Sequence, residues 1–209
     1  MFLNQYKQLR SVGMRLSEEI PKTYGLKESL PAIIRILGIG QGQQLLLESE
    51  EEINFMIDFY LHEFLSNGRT MLERYRADRS DLEPIEITYL DAAKASYTSL
   101  FKVTNLNPTE SSLTVIDLLS SSDQPLSVIN VNLSKTAKPG YVIFSRLLPN
   151  EQFNSFSGMC AVFGAGRDRE LLKRYKVMKK RIKSDRESVQ RFVACFKLNR
   201  VLGVTIVSR

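Results

Sequence analysis

Cysteine and histidine are scarce in this chain of 209 residues, which contains two cysteines and one histidine. A disulfide framework needs more than Cys160 and Cys195, and neither of them belongs to a C-x-x-C pair. His62 lacks a second histidine at the spacing of a zinc H-E-x-x-H site. Two cysteines and one histidine also cannot complete a typical structural zinc site. The sequence therefore predicts reduced cysteines that behave as small hydrophobic residues, and no bound metal.

Sequence motifs of common enzymes are missing as well. The chain has neither a G-x-S-x-G nucleophile elbow nor a Gly-Lys-Ser/Thr phosphate loop. The stretch LGIGQGQQ at residues 37–44 has its glycines in G-x-G-x-G spacing, after a segment that favours a helix. We expect it to be a flexible connection and not a nucleotide site. We assign no catalytic residue and no cofactor, and we favour a protein that is not an enzyme.

Long hydrophobic runs are also absent. No stretch approaches the roughly 18 apolar residues of a membrane span. The N-terminal residues lack the basic-then-apolar order of a signal peptide. We therefore expect a cytoplasmic protein without a membrane partner. Apolar residues make up 43% of the chain, which is enough for a substantial hydrophobic core.

Basic charge is abundant, and it is concentrated at one end of the sequence. The net charge is +6, and residues 167–191 alone hold eleven Lys/Arg and four Asp/Glu, a net charge of +7. Residues 1–166 hold 15 basic and 19 acidic residues, a net charge of −4. A basic element of this kind favours one specific anionic partner over general adhesion to anions.

The first half of the sequence favours helices. Apolar residues recur at helical spacing in residues 2–20, 26–38 and 50–66. TMLERYRAD at 70–78 and residues 85–96 are two further predicted helices, although Ile87, Thr88 and Tyr89 also suit a strand. We expect Pro21 to end the first helix and Gly38 to cap the second. Ser49 and Glu52 have the spacing of a capping box before the third. These patterns predict a helical region over residues 1–95.

Beyond residue 96 the sequence favours β-strands, and the predicted fold class is α+β. Segments rich in Val, Ile, Phe and Thr lie between turn residues at 97–106, 112–119, 126–133, 140–148 and 156–163. In the third segment, Ile129, Val131 and Leu133 alternate with polar residues, as in a half-buried strand. We expect an antiparallel β meander or small barrel. A long basic helix over 168–197 and a final strand over 201–208 would complete a β-module spanning residues 96–209.

The basic helix is the strongest functional signal in the sequence. Leu171, Tyr175 and Phe192 belong to the apolar residues that would line its packed face. The cations on its other faces would neutralise phosphates without reading base sequence. The predicted nucleic-acid-binding residues are Lys173, Arg174, Lys176, Lys179, Lys180, Arg181, Lys183 and Arg186.

Other interpretations of the same sequence stay open. The helix could be merely solvated, or could meet an acidic protein, in a protein–protein assembly subunit or adaptor with no nucleic-acid role. Aromatic residues of the β-module could stack on single-stranded bases or belong to the core. These residues are Tyr97, Phe101, Tyr141, Phe144, Phe153 and Phe156. A hidden enzyme would need a pocket that joins Asp117, Arg146 and His62.

Two short motifs lie within residues 99–164. They are L-x-V-x-D-L-L at 113–119, which contains Asp117, and F-x-R-L-L-P at 144–149, which contains Arg146. With these motifs the stretch resembles a β-module of uncharacterised bacterial proteins, some of which carry a SEC-C metal-binding motif. The cysteine and histidine cluster of the SEC-C motif is absent from this chain, so the resemblance implies a β-module but no zinc and no established activity.

Overall fold

The computed structural model describes residues 2–41 and 44–204 of the chain. Over these residues the protein has the predicted α+β fold, with a helical N-terminal half. The contacts divide the chain into two compact units. The helical unit consists of residues 7–95, and the barrel unit consists of residues 2–6 with 96–204.

The N-terminal half contains five helices, connected in part by two short hairpins. The helices are α1 (Leu3–Thr23), α2 (Leu26–Leu37), α3 (Glu52–His62), α4 (Met71–Asp78) and α5 (Pro84–Lys94). The hairpins are formed by β1 (Gly40–Gln41) with β2 (Gln44–Leu45), and by β3 (Leu65–Ser66) with β4 (Arg69–Thr70). These helices correspond in approximate position to the helical segments predicted from the sequence.

The end of the first helix differs from the prediction. Pro21 does not end α1, which continues to Thr23. A proline in the last turn removes one backbone N–H, but the helix can continue where the following donors still find acceptors. The N–H of Tyr24 donates to the carbonyl of Ile20 at 2.9 Å, so the last turn keeps its hydrogen bonding.

Of the two helix caps predicted from the sequence, the one at the end of α2 forms and the one at the start of α3 does not. Gly38 caps α2 as predicted, in the left-handed conformation with φ of 71°. The predicted capping box of Ser49 and Glu52 does not form, because Glu51 is the N-cap residue of α3. The Glu52 carboxylate accepts a hydrogen bond from the N–H of Glu48 at 2.9 Å instead.

The second half of the chain contains five strands that form one closed barrel. The strands are β5 (Tyr97–Asn107), β6 (Ser112–Asp117), β7 (Leu126–Ile129), β8 (Val142–Pro149) and β9 (Asn154–Phe163). Their order around the barrel is β5-β6-β7-β9-β8, and β8 closes on β5. All neighbours are antiparallel except β7 and β9, which are parallel. The small barrel is therefore confirmed, but it is not a simple antiparallel meander. Its strand order, with this one parallel pair, is that of an OB-fold.

The barrel wall has an apolar inner face. Phe101, Val115 and Ile143 are completely buried and belong to the core cluster inside the barrel. Because cross-strand partners share a face of a sheet, residues paired with them also point inward. Phe101 lies opposite both Asp117 on β6 and Ile143 on β8, which identifies the inward-facing positions of these three strands.

The third predicted strand is shorter than expected. β7 ends at Ile129, and Leu133 begins the short helix α6 (Leu133–Thr136). Asn130 is buried, and its side-chain oxygen accepts a hydrogen bond from the N–H of Leu133 at 2.9 Å. This local side-chain bond starts a helical turn where the alternation of Val131 and Leu133 predicted a continuing strand.

The predicted basic helix over 168–197 is in fact two helices. They are α7 (Asp168–Arg181) and α8 (Glu187–Leu202), joined by residues 182–186. Ile182 leaves the helical conformation with ψ of 120°, and the hydroxyl of Ser184 accepts from the N–H of Arg186 at 3.2 Å. The chain therefore turns at a serine–aspartate pair, which favours turns over helix interiors.

The predicted final strand over 201–208 is wrong at its start. Val201 and Leu202 belong to α8, and Gly203 follows as the C-cap residue. Val204 then forms an antiparallel bridge with Val162 of β9, through an N–H to carbonyl bond of 2.9 Å. The rest of the predicted strand, residues 205–208, lies outside the described residues.

Candidate nucleic-acid interface

One face of α7 is packed and the opposite face is cationic. Leu171 and Tyr175 are buried, and they lie on one side of the helix. With about 100° of rotation per residue, a second set of residues lies on the opposite side. We call this set the cationic stripe: Arg169, Lys173, Lys176 and Lys180, all exposed. The helix therefore presents its positive charge to solvent along a single line.

The cationic stripe is a linear array of known dimensions. Successive members are three or four residues apart, and the rise of an α-helix is about 1.5 Å per residue. Arg169 and Lys180 are therefore about 16 Å apart along the axis. Arg181 and Lys183 are exposed beyond the end of the stripe. Such an array can contact several phosphates of one polyanion at once.

The eight predicted binding residues fall into two groups in the structure. Five are exposed and have no carboxylate at ion-pair distance within residues 2–41 and 44–204: Lys173, Lys176, Lys180, Arg181 and Lys183. The other three have partners or structural positions within the hairpin of α7 and α8. Arg174 pairs with Glu170 at 3.0 Å, Lys179 pairs with Glu187 at 2.6 Å, and Arg186 is the partly buried N-cap residue of α8.

Arg169 was missed as a candidate by the sequence analysis. It is exposed, and the described residues place no carboxylate at ion-pair distance from it. The signal was present, because Arg169, Lys173, Lys176 and Lys180 follow the spacing that puts residues on one helical face. Residues 173–186 have the highest density of basic charge. The stripe is identified instead by the angular position of each basic residue around the helix axis.

Three of the four carboxylates on or next to α7 are engaged by other cations, and the fourth, Asp185, is exposed in the turn after the helix. Asp168 pairs with Lys102 of β5, and Glu170 lies between Arg167 and Arg174. Glu187 contacts Lys179, and this neighbouring ammonium group holds the pKa of the Glu187 carboxyl below its usual value. The pairs of Asp168 and Glu187 join α7 to β5 and α8, and none of the paired carboxylates lies at ion-pair distance from the cationic stripe.

The helices α7 and α8 are anchored to the barrel. Phe192 of α8 packs edge-on against Phe144 of β8, with 5.7 Å between ring centroids. Arg191 donates a hydrogen bond to the backbone carbonyl of Thr98 at 3.2 Å. On α7, burial raises the pKa of the Tyr175 hydroxyl to about 12. α8 contacts the barrel directly, whereas α7 is held by its buried Leu171 and Tyr175 and by the ion pair of Asp168 with Lys102 of β5.

Asp117 is a structural acid inside the barrel wall. It is buried, and it accepts hydrogen bonds from the hydroxyl of Ser99 and from the N–H of Leu119, the latter at 2.9 Å. Tyr97 also faces it, and burial together with this carboxylate raises the pKa of the tyrosine hydroxyl. The carboxylate thus satisfies donors from β5 and from its own turn, as a buried polar group must.

Asp117 and Arg146 do not meet. Asp117 lies opposite Phe101, so it points to the inner face of the barrel wall. Arg146 lies opposite Thr98, which alternates with Ser99 and Phe101 and therefore belongs to the outer face. His62 lies in the helical unit. The structure therefore does not bring Asp117 and Arg146 together as the enzyme hypothesis requires.

The remaining sequence candidates are a metal site, the two cysteines and the glycine-rich stretch. Within residues 2–41 and 44–204, no group of three or more His, Cys, Asp and Glu residues could hold a metal ion. Cys195 is buried and Cys160 is partly buried, and burial raises the pKa of the Cys160 thiol to about 12. A thiol with so high a pKa is a poor nucleophile. In LGIGQGQQ, Gly38 caps a helix and residues 40–41 pair as β1, while residues 42–43 lie outside the described residues.

None of the helices in the described part of the chain combines the length with the apolar character that a membrane-spanning segment requires.

Comparison with known proteins gives a family but no function. No curated protein and no solved structure matches the chain. The comparisons do not show the resemblance of residues 99–164 to a bacterial β-module or to SEC-C proteins. The whole chain, residues 1–209, matches the model of a family of unknown function, DUF7986, and the protein belongs to that family.

Proposed function

We propose that the protein is a non-enzymatic, cytoplasmic binding protein that contacts nucleic acid through α7. The observation that carries the proposal is the exposed, uncompensated charge of Lys173, Lys176 and Lys180, on the side of the helix opposite its buried face. Phosphate contacts by such residues give affinity without sequence specificity. The resemblance of residues 99–164 to a bacterial β-module adds no activity to this proposal.

An acidic protein partner is the competing function, because it would also be attracted by the cationic stripe. The two partners differ in how binding responds to salt. Each phosphate contact releases condensed counterions, and the logarithm of the affinity for duplex DNA falls by about 0.9 per contact for each tenfold increase in salt. Four or five contacts therefore predict a slope of about −4. Docking to an acidic protein surface involves no comparable release from a condensed ion atmosphere.

The test compares two variants with the same change in net charge. In the first, Lys173, Lys176 and Lys180 are replaced by Glu; in the control, Lys27, Lys135 and Lys138 are replaced by Glu. The control lysines are exposed and lie outside α7 and α8. Binding of a fluorescent nucleic acid is measured by anisotropy between about 50 and 200 mM salt, where phosphate contacts have their largest effect.

We expect the α7 variant to lose at least about 100-fold in affinity at the lowest salt and to lose the salt slope. The control variant should keep most of its affinity and the full slope. Equal losses of affinity in the two variants would mean that net charge alone determines binding, and would contradict the proposal. The absence of binding by the unmodified protein at low salt would also contradict it.

A further inference from the structure

The surface of the protein offers no exposed aromatic ring. All 11 Phe and all 8 Tyr lie within the described residues, and every one of them is buried or half-buried. Proteins that bind single strands through OB-folds and similar modules stack successive bases on exposed aromatic side chains. No ring is therefore presented fully to solvent as a stacking platform for a single strand.

The aromatic candidates of the barrel unit are committed to intramolecular contacts. Phe101, Phe144 and Phe156 are buried. Phe153 stacks on Phe2 with 6.0 Å between ring centroids, and Tyr97 packs against Phe101 at 6.3 Å. Tyr141 packs against the core cluster of the barrel. The sequence-based hypothesis that these rings stack on single-stranded bases is not supported by their positions.

The outer wall of β6 and β7 also lacks charge. Its outward positions alternate with core residues, and Thr114 lies opposite Ser127 while Ser112 lies opposite Ile129. These side chains carry no positive charge that would hold a phosphate. In OB-folds this wall binds oligonucleotides, but here neither stacking nor charge is available on it. Among the described residues of the barrel unit, the cationic stripe is a linear array of exposed cations, and it would recognise the phosphate backbone.

Contact with phosphates alone favours the nucleic acid that carries the higher charge density. A DNA duplex has one negative charge for each 1.7 Å or so of its axis, and one strand in the same geometry has one for each 3.4 Å or so. Over the length of the cationic stripe, about 16 Å, this amounts to roughly nine charges against roughly five. A single strand offsets this difference mainly by stacking its bases on exposed aromatic rings, and none of the rings here is fully exposed.

We infer that the partner of the cationic stripe is a duplex nucleic acid, bound along its phosphate backbone and without sequence preference. The inference rests on the proposed function, and it specifies the class of nucleic acid. The shared chemistry is a double line of phosphates, which both DNA and RNA duplexes possess. Because Arg169, Lys173, Lys176 and Lys180 form one straight row, they face one side of the duplex, where the phosphates of both strands contribute to the negative potential.

The test is a competition between duplexes and a single strand with equal numbers of phosphates. A fluorescent DNA duplex is displaced by unlabelled DNA duplex, RNA duplex or oligo-dT, which forms no hairpin. Two DNA duplexes, one rich in A·T and one rich in G·C, measure sequence preference. We expect a duplex to compete severalfold better than oligo-dT, and the two DNA sequences to compete equally. The salt slope should be about −4 for duplex DNA and about −3 for oligo-dT.

The outcomes separate this inference from the proposed function. Oligo-dT that competes as well as the duplexes, or better, would overturn the inference but leave the proposed function standing, provided that the triple Lys→Glu variant of α7 loses binding. A clear preference between the two DNA sequences would also overturn it. If no nucleic acid binds at low salt, the inference and the proposed function fail together. The Lys176→Ala variant sharpens the result, because loss of one phosphate contact should reduce the duplex slope by about 1.

Discussion

The helices α7 and α8 are neighbours in sequence and in the barrel unit, but they contribute different things to the protein. Along α8, seven residues are buried: Val189, Phe192, Val193, Ala194, Cys195, Phe196 and Leu198. Along α7 only Leu171 and Tyr175 are buried, and most of its remaining surface is basic. The difference separates a helix that completes the core from a helix that carries charge. Changes on the outer face of α7 should therefore alter binding, and changes on the inner face of α8 should alter stability.

The largest expected effect is the loss of a ring from α8. Phe192 is completely buried and packs edge-on against Phe144 of the barrel. The Phe192→Ala variant should lose about 3–5 kcal/mol of unfolding free energy, because it leaves a cavity as well as losing burial. On α7, Lys173→Ala should change it by less than about 0.5 kcal/mol. Urea denaturation followed by circular dichroism measures both.

A large loss of stability in Lys173→Ala would contradict this division of roles, because the stripe would then have a structural role. A small loss of stability in Phe192→Ala would contradict it as well, because this ring of α8 would then contribute little to the core. Binding measured for Lys173→Ala at low salt provides the complementary value, because that variant should fold normally and bind more weakly.

Much of the fold could be predicted from sequence because the local signals agreed with the tertiary structure. The strand segments at 97–106, 112–119, 140–148 and 156–163 correspond to β5, β6, β8 and β9 within a few residues. Gly38 caps α2 in the left-handed conformation that glycine favours. Closure of the barrel could not be predicted in this way. The parallel pairing of β7 with β9 depends on non-local contacts, which the spacing of apolar residues along the sequence does not indicate.

The division of the basic segment into two helices could not be predicted from its apolar pattern. Tyr175, Ile182 and Val189 follow one another at intervals of seven residues, as they would along one continuous helix. Two helices that both turn their apolar sides inward give the same spacing. Only the local turn chemistry of Ser184 and Asp185 marks the break, and that signal is weak beside a strong helical pattern.

The candidate site was predicted in part for the same reason. The sequence identified the charges, and five of the eight proposed residues are exposed without an ion pair in the described part of the chain. The i,i+4 spacing of Glu170 and Arg174 does predict their ion pair, but the sequence could not show that Lys179 is neutralised by Glu187. The second of these pairs depends on the turn between α7 and α8, so it exists only once the two helices lie side by side.

An intermediate effect is expected for Asp117, which lies in the barrel wall and not on α7. Asp117→Ala would leave the hydroxyl of Ser99 and the N–H of Leu119 without their buried acceptor. The cost should be about 1–3 kcal/mol of unfolding free energy. Affinity for duplex nucleic acid, measured below the melting transition, should be unchanged. Loss of binding by a fully stable Asp117→Ala variant would contradict the assignment of function to α7 alone.

The smallest effect concerns the ion pair that joins the two helices. Lys179 lies 2.6 Å from Glu187 and lowers the pKa of that carboxyl, so the folded state favours the ionised form. A carboxyl with a lowered pKa stabilises the fold at pH values above its unfolded pKa of about 4.3. This stabilisation is lost as the pH falls through the lower, folded pKa. Glu187→Gln should therefore melt slightly below the unmodified protein at neutral pH, and the difference should vanish in strong acid.

The Glu187→Gln variant also tests whether a residue of α8 affects the affinity of α7 for nucleic acid. Without its partner, Lys179 becomes a further free cation beside the stripe, so Glu187→Gln should bind duplex nucleic acid slightly more tightly at low salt. Glu151→Gln is the matched control, because Glu151 is exposed in the barrel unit and has no ion pair there among the described residues. It removes the same charge far along the chain from α7. An equal gain in both variants would mean that net charge alone sets the affinity. A gain confined to Glu187→Gln would mean that α8 limits the charge that α7 presents.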